Sequence, residues 1–151
     1  MFAIICGVLA RSLWQSRQSI VSELGRVPEG IPVKVKIAGI VTFSDIRLHR
    51  TFFEDATGGA TILFPGETPG LNPGQRITVA GTATRQGKHV VVTAAEWAIG
   101  GIAPVPSGRS LTIETFGAEE QQNRMGSIEG RVEAAAVDRF AMLALTLRSG
   151  K

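Results

Sequence analysis

The stretch that most constrains this chain is Thr51-Phe52-Phe53-Glu54-Asp55-Ala56-Thr57-Gly58-Gly59-Ala60-Thr61-Ile62-Leu63-Phe64-Pro65. β-Branched and aromatic residues flank a short polar centre. Asp55 is placed to accept backbone N–H groups two residues on, and Gly58 and Gly59 offer the positive φ that a tight reversal uses. The spacing predicts a β-hairpin. Once two strands are joined this closely, the neighbouring segments must either extend the same sheet or cover it.

Those neighbours also read as strands. In Val33-Lys34-Val35-Lys36-Ile37, apolar and basic residues alternate, so Val33, Val35 and Ile37 share one face. Gly39 interrupts the alternation, and Ile40-Val41-Thr42-Phe43 resumes it, which predicts one long first strand bent at a glycine. Arg76 to Thr84 alternates again, with Ile77 and Val79 inward and Gly81 at a second bend; Gln86-Gly87 turns the chain, and His89 to Trp97 makes a fifth strand. Pro65 to Gly74 is too rich in proline and glycine for a helix. Before all of this, Ile20, Val21 and Leu24 lie at helical spacing with Gly25 at a helix end, so Ser16 to Leu24 reads as a short amphipathic helix.

Five short strands with no long helix between them point to an all-β chain: a short N-terminal helix and a five-stranded Greek-key barrel over residues 16–106. The expected core is Val35, Ile37, Val41, Ile62, Ile77, Val79, Val90 and Val92. Residues 107–125 read as a linker. In 126–151, Ile128-Glu129-Gly130-Arg131-Val132 repeats the shape of Ile37-Ala38-Gly39-Ile40-Val41 at a distance of 91 positions, and Phe140 to Gly150 falls where the Phe52 to Gly59 strand and turn would be. That predicts an incomplete second repeat, a fragment of a tandem array, with a hairpin made of Ser127–Val132 and Phe140–Leu147.

The charges exclude more than they suggest. The 151 residues carry a formal net charge of +3, but the barrel region is nearly neutral. Residues 1–26 hold three arginines against one glutamate, 27–106 hold seven basic and six acidic side chains, and 107–151 hold six of each. A nucleic-acid binder concentrates cations on the domain that touches phosphate. Cys6 is the lone cysteine, so neither a disulfide framework nor a cysteine-rich zinc site is available. The apolar run Phe2 to Ala10 is short for a membrane span. With the small residues around Val8-Leu9-Ala10, residues 1–15 read as a signal or anchor remnant, which favours a periplasmic or membrane-associated location over the cytoplasm.

Enzymatic readings do not hold. His49 and His89 are the only imidazoles, with no placed nucleophile or orienting carboxylate, and two histidines without clustered carboxylates make a poor metal site. No cofactor is expected, and no dedicated small-molecule site is evident. Asp55 is better explained as a turn former than as a catalytic acid, and Gly58-Gly59 is not followed by the Lys-Ser/Thr of a phosphate loop.

The segments Val35 to Gly59 and Leu71 to Gly81 together resemble the OB-fold. The first strand ends in apolar-x-Gly-x-Val, an aromatic second strand ends in Asp-x-Thr-Gly, and Pro73-Gly74 introduces the fourth strand, which Gly81 closes. The resemblance covers about residues 31–100 and departs where the usual helix between strands three and four is replaced by the Pro/Gly loop, leaving the N-terminal helix to plug the barrel. The aromatic-aromatic-x-Asp-Ala-Thr-Gly-Gly hairpin is most similar to the tandem OB modules in the extracytoplasmic part of bacterial multidomain sensor proteins. That resemblance implies a non-catalytic binding or interaction module serving signal transduction.

OB-folds generally bind on the outer face of strands two and three, with the loops between strands one and two and between four and five. Here this surface would comprise Arg47, His49, Arg50, Phe52, Phe53, Arg85 and Lys88. Convergence of Arg47, Arg50, Arg85 and Lys88 beside an exposed phenylalanine would suit single-stranded nucleic acid or another anionic polymer. Alternation puts Phe52 and Phe53 on opposite faces, so at most one of them is exposed. The other partner class is a neighbouring domain or another protein, met through that aromatic. The plainer reading is one phenylalanine in the barrel, one beneath a loop or domain, and solvated arginines.

Overall fold

The structure, a computed structural model, describes residues 17–112, 115–116, 123–137 and 142–148. The expected 1–15 segment and Phe140 lie outside the described residues. The strands are β1 (Val33–Asp45), β2 (Arg50–Glu54), β3 (Gly59–Leu63), β4 (Gln75–Gln86), β5 (His89–Ile102), β6 (Arg109–Leu111), β7 (Gly126–Ile128), β8 (Arg131–Val137) and β9 (Leu143–Arg148).

The first five strands close into a barrel in the order β1-β2-β3-β5-β4, with β4 returning to β1. Neighbours are antiparallel except β3 and β5, which run parallel with Ile62 opposite Val92. Alternation carried the inward faces correctly: Ile37, Val41, Ile62, Val79 and Val92 are fully buried, Val35 and Ile77 nearly so, and Val90 packs against them partly buried. Phe53 is fully buried among them.

Three local expectations need correcting. The N-terminal segment is a six-residue 3-10 helix, Val21–Arg26, rather than a longer helix from Ser16. Its approach is extended: Ser19 donates its amide to the Lys36 carbonyl, so Ile20 is exposed while Val21 and Leu24 enter the barrel. Strand β1 runs through Gly39 unbroken, and its irregularity falls between Val41 and Phe43. What Gly39 supplies is clearance, because a Cβ there would overlap the Phe53 ring and the Glu54 carbonyl. The hairpin turn does not use positive φ at Gly58 or Gly59; among the described residues the positive-φ glycines are Gly30, Gly66, Gly74 and Gly87.

Both ends of the barrel are filled without a helix between β3 and β4. At the turn between β2 and β3, Val21 and Leu24 enter beside Gly58. Beyond the other end of β3, Phe64 and Leu71 from the Pro/Gly loop are buried, and Phe64 meets the Trp97 ring edge-on at 5.1 Å. Gly74, with φ +90°, lets this loop bond back: its amide donates to Val41 and its carbonyl accepts from Ala103.

The C-terminal region departs from the expected boundaries. The linker contains β6, which pairs in parallel with β7, and the hairpin is β8–β9, with Glu129-Gly130 separating it from β7.

Candidate interaction surface

On the outer face of β2 and β3 the cross-strand pairs are Arg50 with Leu63, Phe52 with Thr61 and Glu54 with Gly59. The inner face takes Thr51 and Phe53, both fully buried, so Phe53 is removed from the candidate binding set by the two-residue period of the strand. Phe52, half-buried, is the outward aromatic. Phe43 stands beside it with ring centroids 6.1 Å apart. Sequence reasoning missed Phe43 because simple alternation gives it the face of Val41. The bulge between them turns Phe43 outward, where it is exposed.

A second missed element lies across this face. Asn123, Arg124 and Met125 run over the outer side of β2–β3: the Thr61 hydroxyl donates to Asn123 Oδ1 at 2.8 Å, and the Met125 amide donates to the Glu54 carboxylate in a very short hydrogen bond. Gly59 sits directly under the Asn123 backbone, with no room for a Cβ. Glu54 and Thr61, outward-facing polar residues, are buried as a result. Asn123 (φ +59°) is one of two non-glycine residues among those described with positive φ, the other being His49. Nothing periodic in the sequence marks this stretch. What remains open on the face is a shallow recess lined by Thr42, Phe43, Phe52, Asn123, Arg124 and Met125.

The expected cations do not gather around this recess. Arg50 begins β2 and lies opposite Leu63, which pairs with Thr93, whereas Lys88 precedes His89 at the start of β5. The difference of four residues along β5 separates the two loops by about 13 Å. Arg47 is held by Asp45, whose carboxylate also accepts the amides of Arg47 and Leu48. Burial works against ionisation of Asp45, but those two amides and the Arg47 guanidinium hold its carboxyl below the ordinary aspartate range. Arg85 turns away from the face: it donates to the Gly25 carbonyl at 2.7 Å and to the Gly87 carbonyl at 2.9 Å, tying the 3-10 helix to the β4–β5 turn. His49 occupies the β1–β2 turn with φ +51°, its Nδ1 2.9 Å from the Thr68 hydroxyl. Lys88 instead borders a cleft shared by Val21, Leu24, Thr57, Gly58 and Arg124.

The surface therefore presents an aromatic pair, Arg124 in its recess, Arg50 at its edge and a buried glutamate, under a segment of the same chain. Among the described residues no group of three or more His, Cys, Asp and Glu side chains converges as a metal site, and no helix is long and apolar enough to cross a membrane.

No protein-family model and no curated protein matches the chain. Solved structures do resemble it in part. The S. pombe Stn1–Ten1 complex matches at 16% identity and TM-score 0.46, over 56% of this chain and 79% of that one. The hypothetical protein YgiW from E. coli matches at 14% identity and TM-score 0.44, over 56% and 90%. The Ifi202 HINa domain, solved with 20-bp double-stranded DNA, matches at 10% identity and TM-score 0.46, over 58% of this chain and 48% of its own.

Proposed function

We propose that the chain is a non-catalytic OB-type interaction module, joined in tandem to a second unit of the same design, whose β2–β3 face contacts polypeptide rather than nucleic acid. The observation that carries this reading is the seating of Asn123–Met125 on that face through Thr61 and Glu54. A face already shaped to hold a backbone, with a glycine cleared beneath it and a carboxylate accepting a main-chain amide, is built for peptide contact. The same carboxylate would repel phosphate. The scattered cations agree, since single-strand binders line one groove with them. The exported, membrane-associated sensory setting and the signal-transduction role rest on the resemblance of the Phe52–Gly59 hairpin, on the tandem reading and on the apolar run within residues 1–15.

Titration of a fluorescent single-stranded oligonucleotide at two salt concentrations tests the proposal. The expected result is no binding at micromolar protein. Micromolar or tighter binding that weakens steeply with salt, as counterion release requires, and that is lost in R47A/R50A, would overturn it in favour of a nucleic-acid-binding domain.

A further inference from the structure

The C-terminal strands repeat the barrel's opening at the level of register. In the barrel, β1 meets β2 through Ile40 with Glu54, Val41 with Phe53, a bulge, then Phe43 with Phe52, Ser44 with Thr51 and Asp45 with Arg50. In the hairpin, β8 meets β9 through Arg131 with Arg148, Val132 with Leu147, a bulge, then Ala134 with Thr146, Ala135 with Leu145 and Ala136 with Ala144. Each β8 residue stands 91 positions after its β1 counterpart and each β9 residue 94 after its β2 counterpart, so five pairs and the bulge coincide and only the loop is three residues longer. Thr146 thus takes the place of Phe52 and Leu147 that of Phe53. Gly130 stands for Gly39: each is crowded by its partner strand, Gly130 by Leu147 and the Arg148 carbonyl, Gly39 by Phe53 and the Glu54 carbonyl.

The segments leading into these strands match as well. Ser19 pairs in parallel with Ile37, and Leu111 pairs in parallel with Ile128. One residue later the Ile20 amide donates to the Glu23 carboxylate, and the Thr112 amide donates to the Thr115 hydroxyl, the same i to i+3 link at the start of a turn. Leu24 then plugs the barrel, and its counterpart is Phe116.

What differs is burial. Leu24, Val41 and Thr51 are enclosed in the barrel, whereas Phe116 is 66% exposed, Val132 54% and Leu145 51%. The barrel residues are covered by β3, β4 and β5; among the described residues β8 and β9 form a sheet of two strands with nothing in those places.

We infer that residues 109–148 hold the opening strands of a second barrel, and that the outer edge of β9 takes a polypeptide strand with the alternating apolar pattern of β3. This rests on the tandem reading above. The donor enters antiparallel to β9 as β3 does to β2, which sets a residue of the Ile62 kind opposite Leu145. A second copy of this chain does not suit that position: its β3 is locked between β2 and β5, and its own hairpin duplicates the two strands already present. Backbone pairing along an exposed edge supplies the affinity, and alternate side chains entering the apolar face supply the selectivity.

The test titrates the full chain with a synthetic peptide of the sequence Gly58–Pro65, extended by a lysine tail for solubility, and follows amide exchange by NMR. The expected result is slowing of β9 amides from Leu143 to Arg148 by about tenfold or more, with no effect of a peptide carrying Ile62→Asp. In the V132D chain the melting temperature of the first barrel stays unchanged and the protection disappears. Unaltered β9 exchange at saturating peptide would overturn the inference. So would a dimer in sedimentation that protects β9 without peptide, or a V132D chain whose first barrel melts early. The oligonucleotide titration reports on the first barrel alone, so either result stands independently of the other.

Discussion

The Asp55 carboxylate accepts the amide of Val21 at 2.8 Å, joining the hairpin turn to a residue 34 positions earlier in the chain. Its other oxygen accepts the amides of Thr57 and Gly58 and the Thr57 hydroxyl, and the Thr57 hydroxyl oxygen accepts the Ser22 amide at 3.0 Å. One side chain thereby forms the β2–β3 turn and anchors the first amide of the 3-10 helix that plugs the barrel. A residue expected to be a local turn former is also a tertiary clamp.

This clamp is pH-sensitive. Burial raises the Asp55 pKa, but the Thr57 hydroxyl and the amides of Val21, Thr57 and Gly58 outweigh it and hold the carboxyl below the ordinary aspartate value. A group depressed in the folded state contributes stability above its unfolded pKa and loses that contribution as pH falls through the folded one. In D55N the amide nitrogen faces an N–H donor at Val21. Allowing for partial exposure, the expected cost at pH 7 is about 1–2 kcal/mol. Denaturant melts of wild type and D55N from pH 7 to pH 2 should show the gap narrowing once pH drops below the ordinary aspartate value. A gap independent of pH would assign the loss to shape rather than charge.

Gly39 provides a steric prediction. A methyl group there meets the Phe53 ring and the Glu54 carbonyl, neither of which can retreat, because Phe53 is fully enclosed and Glu54 belongs to the β1–β2 ladder. Overpacking of this kind costs about 1–3 kcal/mol. Gly25, where an added methyl would meet nothing within 4 Å, is the matched control. Thermal melts should place G39A well below wild type and G25A close to it.

The core allows a similar pairing. Ile37 is fully buried and Ile102 is 85% exposed, although both lie in barrel strands. Truncating Ile37 to alanine should cost about 2–5 kcal/mol where the surroundings cannot collapse. The same change at Ile102 should leave the denaturation midpoint nearly unmoved.

These contrasts show which parts of the molecule were legible from sequence. Ile37, Val79 and Val92 were readable as core because a strand buried on one face must alternate. The barrel followed from five such strands with no crossover helix. Phe43 was not readable, because a single bulged residue reverses every parity argument downstream of it and leaves no mark in composition. Gly58 and Gly59 were readable as a turn but not for the right reason: Asp55 satisfies the turn amides, and Gly59 is needed for the close passage of Asn123. The seat of Asn123–Met125 depends on contacts between positions some sixty to seventy residues apart, Thr61 with Asn123 and Glu54 with Met125, and local pattern holds no information about those.

That seat predicts a measurable linkage. T61V removes the hydroxyl that holds Asn123 while preserving a β-branched strand residue. The lost hydrogen bond should lower stability by about 1 kcal/mol, and amide exchange at Met125 should quicken relative to the β4 amides. If Met125 exchanges at the same rate in both proteins, the Glu54 contact alone holds the segment.

Arg50 and Arg85, which loop position alone would bring to one groove, should separate cleanly. Arg85 donates to the carbonyls of Gly25 and Gly87 and so joins the end of the 3-10 helix to the β4–β5 turn, whereas Arg50 stands exposed at the start of β2. R85A should therefore lower the unfolding midpoint by an amount equivalent to about 0.5–1.5 kcal/mol, because the Gly25 carbonyl near the helix end and the Gly87 carbonyl in the β4–β5 turn lose their donor. R50A should leave the midpoint unchanged, as removal of a solvated surface charge does. Parallel urea melts of the two variants decide the matter, and equal midpoints would mean that the Arg85 bonds contribute no more than exposed contacts of the same length.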